Sequence, residues 1–274
     1  MPLSAEAPGA PCWLSLSARD LGAAERFYGA VLGWTFRHGP LGRGFSVGER
    51  DGTPVAGIGE IVDRMAVPVA WTPFFAVADA DTAVARIRER GGTVGVGPLA
   101  FPPRGRAALA TDLEGAAFGV WEGRVSSRWR VGEVAAPAWL ELHTGSAFDA
   151  AVFYGGVLDW VDGGGAERFE VSYEDDQVVL RRRGDAVARL NSGPAEASAE
   201  QPQRRPRWLV HFLVPDLERA TAAVLDHGGS LVPEADDGWR APAGRRTTVR
   251  DPQGGLFTLD ESDGDRPDAG IRTL

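Results

Sequence analysis

The 274-residue chain contains no lysine; all 29 of its basic residues are arginine. That excludes a lysine Schiff base, a P-loop lysine and a pyridoxal-phosphate anchor. The one cysteine, Cys12, excludes an internal disulfide and a cysteine-rich zinc site, and a lone thiol suits a reducing compartment. No run approaches the ~20 apolar residues of a membrane span. Residues 1–11 lack the basic and apolar regions of a signal peptide, so a cytoplasmic protein with no membrane contact is expected. Positive charge is in deficit: the net charge is −9 and the pI about 5.0, which argues against nucleic acid, whose affinity rests on basic residues. What is plentiful is apolar matter. Hydrophobic residues make up 43% of the chain and there are nine tryptophans, ample core for one large or two ordinary domains.

The chain repeats itself. Trp13-Leu14-Ser15-Leu16, Ala23-Ala24, Phe27-Tyr28-Gly29 and Val31-Leu32-Gly33-Trp34 recur as Trp139-Leu140-Glu141-Leu142, Ala150-Ala151, Phe153-Tyr154-Gly155 and Val157-Leu158-Asp159-Trp160. Trp71, Val77, Asp79, Ala83, Ile87 and Gly91-Gly92 recur as Trp208, Val214, Asp216, Ala220, Val224 and Gly228-Gly229. Asp112-Leu113-Glu114-Gly115 with Phe118 recurs as Asp251-Pro252-Gln253-Gly254 with Phe257. The chain therefore divides into two halves of two units, each unit roughly sixty residues. Each unit opens on a period-2 run, followed by a helix with Ala24, Phe27, Tyr28 and Val31 on one face, then short strands such as 44–48, 55–61, 169–173, 178–182 and 247–259. This is a β-α-β-β-β unit. The boundaries read as a first domain over 10–122, a linker over 123–136, a second domain over 137–260 and a tail over 261–274, with a Pro/Gln/Ala/Glu-rich loop at 192–206.

Four such units, with "FY…LGW" openings and "D-x-x-G-x-x-F" closing strands, resemble the vicinal oxygen chelate superfamily of glyoxalases, extradiol dioxygenases and bleomycin-resistance proteins. The doubled, tryptophan-rich form is most similar to two-domain actinobacterial members, some of them accessory proteins of antibiotic pathways. The resemblance implies an α+β fold in which units pair into curved mixed sheets, one around a cavity in each half, with helices on the convex faces.

Strand parity then sorts the side chains. Leu14 and Leu16, Leu140 and Leu142, and Phe212 and Val214 should lie under the helices. In the first half this turns Trp13, Ser15, Phe74 and Trp121 toward the cavity. In the second it turns Trp139, Glu141, His143, His211, Thr258 and Asp260 there. Cys12 falls on the helix side by the same rule, and His38 falls in a loop. The family's metal ligands would fall at Trp13, Thr72, Trp139, Leu209, Gly119 and Thr258, a set that offers no imidazole or carboxylate. The sequence thus implies no metal and no cofactor. It points to a site where aromatic faces stack on a planar ligand.

Three readings follow. The first is a metal-free binding protein for a planar aromatic small molecule, natural-product or antibiotic-like, serving sequestration, resistance or biosynthesis. Its partners would be that ligand and either a second copy of the chain or a biosynthetic enzyme. The second is a cofactor-independent isomerase, cyclase or hydroxylase partner using Glu141 and His211 as base and acid. The third is a metal site rebuilt from Glu141, His143, His211 and Asp260. Ser15 and Ser17 have no histidine within their half's cavity, which argues against a serine nucleophile.

Overall fold

A computed structural model describes residues 3–4, 8–39, 42–65, 67–126, 129, 131, 139–160, 169–174, 177–182, 184–192, 206–233 and 245–261. The first half runs β1 (Leu3–Ser4), β2 (Pro11–Ala18), α1 (Leu21–Leu32), β3 (Thr35–His38), β4 (Phe45–Arg50), β5 (Thr53–Glu60), α2 (Val62–Met65), β6 (Ala70–Ala76), α3 (Ala80–Glu89), β7 (Thr93–Phe101), β8 (Gly105–Thr111), β9 (Ala117–Gly123) and β10 (Val125–Ser126). The second runs β11 (Trp139–Thr144), α4 (Ala147–Leu158), β12 (Phe169–Glu174), β13 (Gln177–Arg182), β14 (Asp185–Ser192), β15 (Arg207–Val214), α5 (Leu217–Asp226), β16 (Ser230–Leu231), β17 (Arg246–Arg250) and β18 (Leu256–Glu261). Two eight-stranded mixed sheets result, ordered β3-β4-β5-β2-β6-β9-β8-β7 and β12-β13-β14-β11-β15-β18-β17-β16.

The four long helices start and stop for local reasons. Asp20, Asp79, Ser146 and Asp216 cap them, each accepting from the backbone N–H three residues on. Helix α1 ends where Gly33 takes the left-handed conformation, φ 69°, closing the last turn on the Gly29 carbonyl. The expected strand over 247–259 is two strands, because Asp251 turns the chain: its carboxylate accepts from Gln253 N–H and Gly255 N–H, each at 2.8 Å. His38, expected in a loop, ends β3. Of the expected linker, Gly123 closes β9 and β10 pairs with β1. The expected loop and tail fall, at 193–205 and 262–274, outside the described residues.

The sheets pack back to back. Helix α1 lies against α5 and α3 against α4, and strand β6 touches β15 through the gap between them. Leu14, Leu16, Leu140 and Leu142 are fully buried in this shared core. Its centre is aromatic: Trp71 and Trp34 pack edge-on against Phe212 across the halves, and Phe75 packs against Tyr154, Trp160 and Trp208. The repeated motifs meet here in two matching locks. Trp71 Nε1 donates to Tyr28 Oη at 3.0 Å, and Tyr28 donates to Asp251 of the other half at 2.9 Å. Trp208 Nε1 donates to Tyr154 Oη at 2.9 Å, and Tyr154 donates to Asp112 at 3.0 Å. Burial, before all else, pushes both tyrosines well above their ordinary pKa, so they stay protonated donors. Because the helices meet in the middle, the two remaining sheet faces point away from each other.

Candidate functional site

On the outer face of the first sheet, β2, β6 and β9 bring Trp13, Phe74 and Trp121 together. Trp13 pairs in register with Phe74, and Phe74 with Gly119. All three rings are half-buried, and they pack around Cys12 and Ala76. Ser15 sits on the same face, opposite Thr72. Glycine makes this surface possible, since a Cβ at Gly119 would collide with the Phe74 ring. Trp121 stacks on Phe101 with ring centroids 6.1 Å apart, and its Nε1 is enclosed without a partner among the described residues.

Two features of this face differ from the sequence expectation. Cys12 is buried against the outer aromatics rather than under the helix, because a bulge between Pro11 and Trp13 inserts one residue and breaks the alternation. Trp129, from the aperiodic linker, tilts against Trp13 at 6.4 Å and donates from Nε1 to the Val55 carbonyl at 2.7 Å. No periodicity in its neighbourhood marks it.

The second sheet gathers Trp139, Glu141, His143, His211, Thr258 and Asp260 on its outer face, but as a closed polar network. His211 is 1% exposed and Glu141 2%. His211 Nε2 lies 3.1 Å from Glu141 Oε2, and its Nδ1 3.0 Å from Asp260 Oδ2. Asn191 Nδ2 donates to Glu141 Oε1. Trp139 Nε1 donates to Asp260 Oδ2 at 3.1 Å. His143 Nε2 stands 3.5 Å from Glu141 Oε2, and neither of its ring nitrogens is hydrogen-bonded among the described residues. Thr258 is taken by Thr248, 3.1 Å away. Trp139 departs from the expected open stacking platform. His211 stacks on one side, centroids 3.6 Å apart, and the Arg189 guanidinium lies over the ring at 5.4 Å.

The electrostatics follow from that closure. Burial is the largest influence on Glu141 and pushes its carboxyl up, but the His143 imidazole 3.5 Å away and the hydrogen bond and charge of His211 outweigh it, and the group is held well below the carboxylate range. Burial likewise pushes His211 down, yet the Asp260 and Glu141 carboxylates overcome it and raise the imidazole above its ordinary value. Both ring nitrogens of His211 face carboxylate oxygens, so the protonated ring, which donates from both, is the form this network favours. Burial lowers Arg189 against the pull of Glu141. Arg189 and Asn191 were missed in the sequence, although their strand alternates Val187, Arg189, Asn191 with the buried Ala188 and Leu190.

A metal of the family's kind does not fit its usual place here. Trp13, Trp139, Leu209 and Gly119 carry no ligating group, the Phe74 ring covers Gly119, and the Thr258 hydroxyl is engaged. Among the described residues no three histidine, cysteine or acidic side chains have the geometry of a metal site. No described helix is long and apolar enough to cross a membrane.

The chain is similar to several known proteins. A family model described as a glyoxalase-like domain matches residues 139–259. The anthracycline biosynthesis protein DnrV of Streptomyces peucetius is 30% identical, over 93% of this chain and 94% of that protein. The anthracycline biosynthesis protein DauV of Streptomyces sp. (strain C5) is also 30% identical, over 93% and 94% of the two chains. The Mn(II)-bound glyoxalase from Novosphingobium aromaticivorans superposes with a TM-score of 0.57 at 18% identity, over 93% of this chain and 82% of that one, a likeness of fold.

Proposed function

Because this chain belongs to the glyoxalase-like family of the vicinal oxygen chelate superfamily, we propose that it uses the family's outer sheet face without the family's metal. On this reading it is a binding protein for a planar aromatic small molecule of natural-product or antibiotic type. It serves sequestration, resistance or a biosynthetic accessory role, and its protein partner is either a second copy of the chain in a homodimer or a biosynthetic enzyme.

The observation that carries the reading is the half-open cluster of Trp13, Phe74 and Trp121 on the first sheet, with Trp13 at one family ligand position and the Phe74 ring over another, Gly119. Each aromatic pair a flat ligand makes there contributes ~0.5–1.5 kcal/mol beyond burial. Ser15 on the same face offers a hydroxyl to a polar edge of the ligand. The names of the two Streptomyces relatives support the ligand class, since an anthracycline carries a flat fused-ring system.

The test is fluorescence titration with 1,4-dihydroxyanthraquinone. Binding should quench tryptophan emission, and Trp13→Ala and Trp121→Ala should each weaken it by ~1–3 kcal/mol, roughly 5- to 150-fold. Unchanged affinity in both variants would sink the reading.

A further inference from the structure

We propose that the outer face of the second sheet is a separate proton-transfer site, in which Asp260 acts as general base on a carbonyl compound with an acidified C–H, an aryl β-diketone or β-keto ester. It does not depend on the ligand bound by the first sheet.

The argument starts from which atoms are engaged and which are open. Glu141 and His211 are buried, so neither touches a substrate. Asp260, at the outer end of the row, keeps 17% of its side chain exposed. Its Oδ2 is held by two donors, Trp139 Nε1 and His211 Nδ1, which fixes the carboxylate plane. Oδ1 has no hydrogen bond among the described residues, so one oxygen of a rigid carboxylate is open at the surface of the face. His211 cannot turn, because Glu141 holds its other nitrogen. Asn191 in turn holds Glu141. Glu141 and His211 are therefore positioning residues, and Asp260 is the group that reaches the substrate.

The surroundings supply the rest of the chemistry. Arg246 on β17 stands directly opposite Asp260 in the strand register, and Leu213 on β15 stands opposite it on the other side. Around it, the charged and titratable groups are Glu141 and His143 on β11, Arg189 on β14, His211 and Arg207 on β15, and Arg246 on β17. Among the described residues of this face, cations outnumber carboxylates, in a chain whose net charge is −9. That is the environment in which charge developing on an enolate oxygen is stabilised. Leu213 and Trp139, both half-buried, flank Asp260 and offer apolar surface to an aryl group.

The step balances without a co-reactant. The C–H bond between the two carbonyls breaks, and its proton passes to Asp260 Oδ1. The bonding pair becomes the C=C bond of an enolate while the carbonyl π pair moves to oxygen. Asp260 then returns the proton to that oxygen, giving the enol. The product is a tautomer of the substrate.

The experiment follows tautomer relaxation of benzoylacetone by ultraviolet absorbance, and deuterium uptake at its central carbon by NMR, with the full chain in buffered D₂O. The wild-type protein should accelerate both by ~10²-fold or more over buffer, the range of a positioned acid or base. Asp260→Asn, which keeps an acceptor for Trp139 and His211, should return the rate to that of buffer. His211→Gln should lower kcat about tenfold with KM within about twofold, and should abolish the alkaline limb that marks loss of the imidazolium proton. Wild-type protein that fails to exceed the buffer rate overturns the proposal whatever the variants do. So does a folded Asp260→Asn with full activity. Loss of anthraquinone binding in Trp13→Ala leaves this result untouched, so the two readings fail separately.

Discussion

Replacing Glu141 with glutamine should destabilise the protein in a way that depends on pH, and the structure sets both size and sign. The wild-type carboxylate accepts from two directions, His211 Nε2 on one oxygen and Asn191 Nδ2 on the other. Glutamine offers one oxygen and one NH₂, so one of the two buried donors meets a donor. The network can only recover if His211 gives up its Nε2 proton and accepts. The loss is then one charge-assisted hydrogen bond at a site 1–2% exposed, about 2–3 kcal/mol. His211 has its pKa raised by folding, so its contribution is present below its unfolded value of about 6.5 and is lost as pH rises through the folded value. Glu141 has its pKa lowered, so its contribution is present above about 4.5 and is lost as pH falls toward the folded value. The pair thus stabilises most between these limits. Thermal unfolding followed by circular dichroism at pH 5.5 should show the variant melting about 4–12 °C lower, at ~2–4 °C per kcal/mol for a chain of this size. At pH 9 the gap should be smaller, because raising the pH moves the wild-type imidazolium toward deprotonation. A gap of equal size at both pH values, or none at either, would refute the charged-pair assignment.

Tyr28→Phe and Tyr154→Phe should behave alike, each lowering stability by about 1–3 kcal/mol, because each leaves a buried Trp Nε1 and a buried carboxylate without their shared hydroxyl; urea unfolding of the two variants checks whether the matching locks are equivalent. Trp129→Ala should lower stability by ~3–5 kcal/mol, the range for emptying a large aromatic site, and should alter anthraquinone quenching because Trp13 loses its neighbour. Gly119→Val should weaken anthraquinone binding in the quenching titration, since the added carbons displace the Phe74 ring.

The α+β units and their order were legible in the sequence, for a physical reason. Asp20 and Gly33 act within one turn of the helix they bound, and Leu14 and Leu16 choose the core side by the alternation of their own strand. Those effects need no partner from elsewhere in the chain. The candidate site was half legible on the same basis: Glu141, His143, His211 and Asp260 follow from parity, and the structure does bring them together. Whether they lie open or closed did not follow from parity. Arg189 over Trp139, and Asn191 on Glu141, come from a neighbouring strand whose pairing only the folded sheet defines.

The tryptophans divide along the same line. Their abundance was plain in composition, and a ligand face was expected of some of them. Parity assigned only Trp13, Trp121 and Trp139 to such faces; tertiary structure sends Trp34, Trp71, Trp160 and Trp208 to the seam between the halves. The repeated Phe-Tyr, Trp and Asp-x-x-Gly motifs meet there across chain separations that no local pattern encodes. Cys12 shows the limit in one residue: alternation places it under the helix, and a single bulge, set by how β2 pairs with β6, turns it outward. Sequence determined what each segment could form, because caps and periodicity act over a few residues. Packing decided which faces were buried and which side chains met, because those contacts exist only once distant segments share a core.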